Sequence, residues 1–172
     1  IVPAGTTYTW SAPIVTGGMT GGSAAANESI ISQTLIKNTN LAQTATYTIT
    51  PTSGIAGSCA GTNFTLVVTV KAVPKIQNYT VSTCSNSAFT VAPINNQPIT
   101  IVPAGTTYTW QNPVVTGLMT GSAAGGNLTL INQTLNNPTN SAQTAVYHVI
   151  PTNQNCIGDT FDINLTVNPT PV

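Results

Sequence analysis

The ten residues IVPAGTTYTW at Ile1–Trp10 recur unchanged at Ile101–Trp110. The match continues without a gap from Ile1–Thr52 onto Ile101–Thr152, with more than half of the paired positions identical. Three residues then drop out, so that Cys59 pairs with Cys156 and Phe64 with Phe161. A module of about 100 residues can bury a core of its own, whereas solenoid repeats of about 20–50 residues lean on their neighbours. The repeat therefore predicts two separately packed modules, residues 1–74 and 75–172. Residues 75–100 have no counterpart, so the first copy lacks its leading strands and the second is whole. A chain beginning inside a repeat reads as a fragment.

Local patterning is that of strands. Segments TTYTW, TATYTIT, FTLVVTV, NLTLINQTL and AVYHVI alternate with period two and are rich in β-branched and aromatic residues. Between them lie PAG, TGGMTGGS, NNPTN and PTNQN, which carry turn chemistry. In the whole copy the pattern predicts strands over 77–83, 88–92, 104–111, 114–118, 127–134, 143–150 and 161–167. About seven short strands at this spacing predict an all-β, immunoglobulin-like antiparallel sandwich for each module. Tyr8, Trp10, Tyr47 and Phe64 in the first copy, and Tyr108, Trp110, Tyr147 and Phe161 in the second, are the expected core aromatics. Burying one Trp removes about 150–250 Å² from water, worth about 4–6 kcal/mol. The repeated decapeptide is then a turn followed by the strand that carries the core indole.

Charge restricts function. Glu28, Lys37, Lys71, Lys75, Asp159 and Asp162 are the charged residues, and arginine is absent. With only three lysines to neutralise phosphates, nucleic acid is not expected as a partner, and nor is a polybasic membrane patch. No apolar run reaches the ~20 residues of a membrane span, so direct membrane insertion is not expected.

The ordered set CSNSAFTVAP, IVPAGTTYTW, INQTL, TNSAQTAVYHVIPT and CIGDTFDINLTVNP resembles the PKD-like tandem repeat of giant Bacteroidetes cell-surface adhesins, gliding-motility adhesins above all. The resemblance covers essentially the whole chain. It implies type IX secretion, an extracellular position at the outer-membrane surface, and long stalks of repeats. The partners it implies are neighbouring repeats of the same chain, with surface polysaccharide or substratum engaged through distal regions. PKD domains follow their YTW with an acidic, glycine-rich turn; here SAP and QNP follow. That departure leaves no basis for borrowing a calcium or carbohydrate role.

The duplication also tests for chemistry, because a site every module needs should appear twice. Glu28 aligns with Leu128, Lys37 with Asn137, Lys71 with Asn168 and Lys75 with Val172. His148, Asp159 and Asp162 align with Thr48, Thr62 and Thr65. No charged residue is reproduced, while the aromatics are. A lone His builds neither a triad nor a zinc cage, and two acids make a poor calcium site. No catalytic, metal or cofactor-binding residue is expected, and the modules are read as non-catalytic spacers. The rival reading is a carbohydrate-binding or accessory sandwich of a secreted glycan-degrading enzyme, which needs Trp or Tyr rings in a row at the surface. Ice binding would need a flat threonine array, which interleaved Tyr and Trp break.

Three cysteines leave one over. A Cys84–Cys156 bond would close a loop of about 72 residues, worth roughly 4 kcal/mol, with Cys59 unpaired. Strict alternation of seven strands places these two at opposite ends, so the bond requires one strand fewer. Otherwise Cys84 would staple to a neighbouring module.

Overall fold

The computed structural model describes residues 1–54 and 58–171. The chain divides into two compact units, Ile1–Lys71 and Ala72–Val172. The boundary precedes the expected one because Ala72, Val73 and Pro74 are folded into the second unit. There Lys75 exchanges backbone hydrogen bonds with Ile101, and Ala72, Pro74 and Ile76 alternate as buried positions.

The first unit is one antiparallel sheet. Its strands are β1 (Thr7–Trp10), β2 (Ile14–Val15), β3 (Ala25–Glu28), β4 (Gln43–Thr52) and β5 (Phe64–Val70). The long β4 is central, with β5 along one edge and β1 and β2 sharing the other. β3 closes the far side of β1. The core is small: Trp10, Met19, Ala45, Tyr47 and Ile49 are buried, with Tyr8, Ile31, Leu35, Leu66, Val68 and Val70 packed against them but partly exposed.

The second unit repeats this sheet and completes it. Its strands are β6 (Tyr79–Cys84), β7 (Ala88–Val91), β8 (Thr107–Trp110), β9 (Val114–Val115), β10 (Gly125–Leu128), β11 (Ile131–Thr134), β12 (Gln143–Asn153), β13 (Cys156–Ile157) and β14 (Phe161–Asn168). The main sheet runs β10-β8-β12-β14-β6, with β9 and β13 also on β12. A second sheet, β7 with β11, lays Phe89, Val91 and Ile131 over its inner face. Between the two sheets Tyr108, Trp110, Tyr147, Val149, Phe161, Ile163, Leu165 and Val167 are buried. This is a β-sandwich.

Two details depart from the sequence reading. β6 pairs with β14 in parallel, so the sheet is mixed rather than purely antiparallel. The single strand expected over 127–134 is two strands in different sheets, β10 and β11, with a bend between them. Crossing from one sheet to the other breaks the ladder there, and Leu128 and Leu130 face outward on either side of the corner.

The repeated sequence repeats its local chemistry. Asn27 and Asn127 both take left-handed backbone, at φ 59° and 55°, beside a register shift between paired strands. Asn tolerates that conformation better than most residues. Each donates its backbone N–H to the same threonine hydroxyl, Thr9 or Thr109, at 3.2 Å. Gly21 and Gly121 have φ of +90° and +87°, and a Cβ at either would lie within 2.4 Å of the carbonyl oxygen of Thr34 or Thr134. Only glycine fits.

Candidate functional site

The two indoles sit inside. Trp10 is 4% exposed and Trp110 2%. Each ring N–H donates to a backbone carbonyl, Ser23 at 2.9 Å and Ala123 at 3.0 Å. A buried indole with its one donor satisfied is a packing element with nothing left to offer a sugar. Tyr47, Tyr108, Tyr147 and Phe161 are buried with them. Tyr147 donates its hydroxyl to Gln133 Oε1 at 2.9 Å, whereas the buried hydroxyl of Tyr47 has no hydrogen-bond partner among the described residues. Burial pushes the Tyr108 hydroxyl up to about 12, with Tyr79 adding to the rise, and burial also raises Tyr147, Tyr47 and Tyr79.

Two of the expected core aromatics are placed differently. Phe64 is 42% exposed, and Tyr8 is half-buried. Alignment makes both inward, as they are. What is missing in their unit is the layer that would cover them.

The polar candidates do not assemble a site. His148 Nδ1 lies 2.7 Å from Asp162 Oδ1, across the β12–β14 ladder and at the surface. An exposed pair of this kind is worth at most about 1 kcal/mol. Among the described residues no group of three or more His, Cys, Asp or Glu could hold a metal ion. No helix among them is long and apolar enough to cross a membrane. A cavity of about 580 Å³ beside Ser85, Asn137 and Pro169 is built from structural bonds. Asn137 Nδ2 donates to the carbonyls of Ser141 and Val167, and its backbone N–H donates to Ser85 Oγ. In the first unit Lys37 stands at this position and donates to the carbonyl of Leu41.

The Cys84–Cys156 disulfide is not formed. Because β6 runs parallel to β14, Cys84 lies level with Asn168 at the end of β14, while Cys156 precedes its start. Eight residues of strand, roughly 26 Å at about 3.3 Å per residue, separate those levels. The alternative that required one strand fewer is therefore closed, and Cys59 forms no disulfide either.

What remains is a surface that periodicity could not reveal: the edge of β5. Among the described residues β5 pairs only with β4, whereas its counterpart β14 is held between β12 and β6. Beside that edge Tyr8 and Phe64 meet edge to face, centroids 6.4 Å apart at 89°. They line a cavity of about 480 Å³ together with Val2, Pro3, Pro51 and Ala60. The signal that could have found it was the missing counterpart of residues 75–100.

These features define a class: a β-sandwich module, with a second copy of its main sheet in the preceding unit, in which repetition preserves interior packing. Residues 1–74 and 81–171 match the PKD-like domain, and the chain belongs to that family. A comparison with the curated proteins finds no match. Among solved structures, the chain is similar to human mucin-like protocadherin EC1-2 at 15% identity, covering 99% of this chain and 87% of that one. The TM-score is 0.33, too low for the likeness to bear on function.

Proposed function

We propose that this chain is a pair of non-catalytic stalk modules from a giant cell-surface adhesin, serving attachment and gliding motility in the manner of the flavobacterial adhesin SprB. The modules space a distal binding region away from the cell and transmit tension along the chain. Export by the type IX route places them outside the outer membrane. The observation that carries the reading is that the shared Trp10/Trp110 and Tyr47/Tyr147 pairs are interior in both units while every charged residue differs between copies. A surface that gripped a ligand in each repeat would be copied with the repeat. The glycan-binding alternative is weakened because both Trp rings are enclosed and hydrogen-bonded.

Antibodies against the chain test the location. They should label intact cells of the source organism, and external protease should remove the label; label seen only after permeabilisation would overturn the proposal. Cells lacking the repeats should attach and glide less well. Unchanged attachment and gliding would remove the adhesin role.

A further inference from the structure

We propose that the second unit is built as a mechanical clamp: the parallel β6–β14 ladder, locked at its downstream end by Asn137, holds the module closed when tension runs through it. The use of such a clamp rests on the stalk reading above, whereas the clamp itself is a property of this unit and can be measured without cells.

Topology sets the direction of the load. The chain enters the main sheet of the second unit at the start of β6 and leaves it at the end of β14. These strands pair in parallel over six residue positions, from Tyr79 opposite Ile163 to Cys84 opposite Asn168. Entry and exit therefore lie at opposite ends of roughly 20 Å of shared ladder, at about 3.3 Å per residue. Tension drives the two strands along each other, and the evenly spaced, slanted bonds of a parallel pair are strained together. An antiparallel pair would put entry and exit at one end, where the bonds break one after another.

Both ends of the ladder are fastened. At the entry, the Asp162 backbone N–H donates to Asn78 Oδ1 at 2.8 Å. At the exit, the Ser85 backbone N–H donates to the Asn168 carbonyl at 2.8 Å. Asn137, 5% exposed, grips both strands there. Its Nδ2 donates to the Val167 carbonyl at 2.9 Å, and its backbone N–H donates to Ser85 Oγ at 2.8 Å. Ser85 follows β6 directly and Val167 lies in β14, so sliding one strand past the other has to break this node. Inside the sandwich Ile163, Leu165 and Val167 are buried, with Tyr79 and Val81 packed against the same core. Water cannot reach the ladder from that side to replace a strained bond.

Single-molecule force measurements on the whole chain test the clamp, with Cys59, Cys84 and Cys156 replaced by Ser and two handle cysteines introduced. Handles at Lys71→Cys and Thr170→Cys load the second unit end to end and leave the first unit out of the force path. Handles at Gln77→Cys and Thr160→Cys pull the starts of β6 and β14 apart and peel the ladder from one end. At equal force, end-to-end unfolding should be at least about tenfold slower than peeling, because forced unfolding is governed by the unfolding rate along the pulled direction. Asn137→Ala should speed end-to-end unfolding about tenfold and peeling less than about threefold, because peeling begins at the end far from the node. Equal rates in the two geometries would overturn the clamp. Asn137→Ala speeding both by one factor would mean general destabilisation and would overturn the role given to Asn137. Slow end-to-end unfolding in a protein that antibodies fail to find on intact cells would uphold the clamp while removing the stalk reading.

Discussion

Phe161 and Phe64 begin equivalent strands, follow equivalent cysteines and face the same way, yet one is 1% exposed and the other 42%. The difference is made outside the shared sequence. In the second unit β6 and β7 bring Tyr79, Val81, Phe89 and Val91 over the sheet; among the described residues of the first unit nothing corresponds to them. An inward-facing pattern thus specifies where a side chain points, while burial needs a second layer to point at. What survives in both units is the part of the core that one sheet and its loops can build alone, the Trp and its hydrogen-bonded carbonyl.

The sharpest way to break this comparison is to remove the paired phenylalanines. Phe161→Ala should cost the second unit about 3–5 kcal/mol, as large core truncations do. Phe64→Ala should cost the first only about 1 kcal/mol, because much of the ring is already in water. Chemical denaturation of each variant, followed by single-Trp versions reporting one unit at a time, measures both. Equal losses would mean the two interiors are closed alike.

Gly21→Ala and Gly121→Ala should instead behave the same, because the corner they occupy is common to both copies. Each should destabilise its own unit by about 2 kcal/mol through the left-handed backbone and the carbonyl beneath it. A loss in one unit only would show that the corner depends on the covering layer.

Alkaline pH should separate the units further. Tyr108 is held to about 12 in the folded state and Tyr147 is also raised, so an unfolded chain loses these protons first. The folded state binds more protons above pH 10, so stability is full below about pH 10 and falls as pH rises towards 12, by about 1.4 kcal/mol per pH unit for each such tyrosine. Tyrosinate absorbance and unfolding of the second unit should rise together in that window. Tyrosinate forming in a still-folded second unit would contradict the burial.

A smaller effect distinguishes the paired hydroxyls. Tyr147→Phe removes a bond to Gln133 and should cost about 1 kcal/mol. Tyr47→Phe removes a buried hydroxyl with no partner among the described residues and should leave the first unit unchanged or up to about 1 kcal/mol more stable. Thermal melts of the two variants give the sign directly.

The sandwich and its indoles were legible because period-two alternation and Gly/Pro/Asn turns are local signals. TTYTW reads as a strand with one wet and one dry face, and Trp110 lies on the dry one. The corner after Leu128 was not legible, since Leu128 and Leu130 continue an apolar alternation while facing solvent. Nor was the parallel seat of β6 on β14, because strand order is decided by how the whole sheet closes and leaves no mark on either strand. The disulfide failed for that same reason. The open edge of β5 was written only as an absence in the alignment, and its FTLVVTV reads like any buried strand.

Single-tryptophan emission measures the central claim most directly, using Trp10→Phe and Trp110→Phe variants of the whole chain. Each remaining indole should emit at short wavelength and resist aqueous quenchers until its unit unfolds. Red-shifted, freely quenched emission from either ring in the folded chain would mean that the repeated block had been kept for a surface, and would contradict the account.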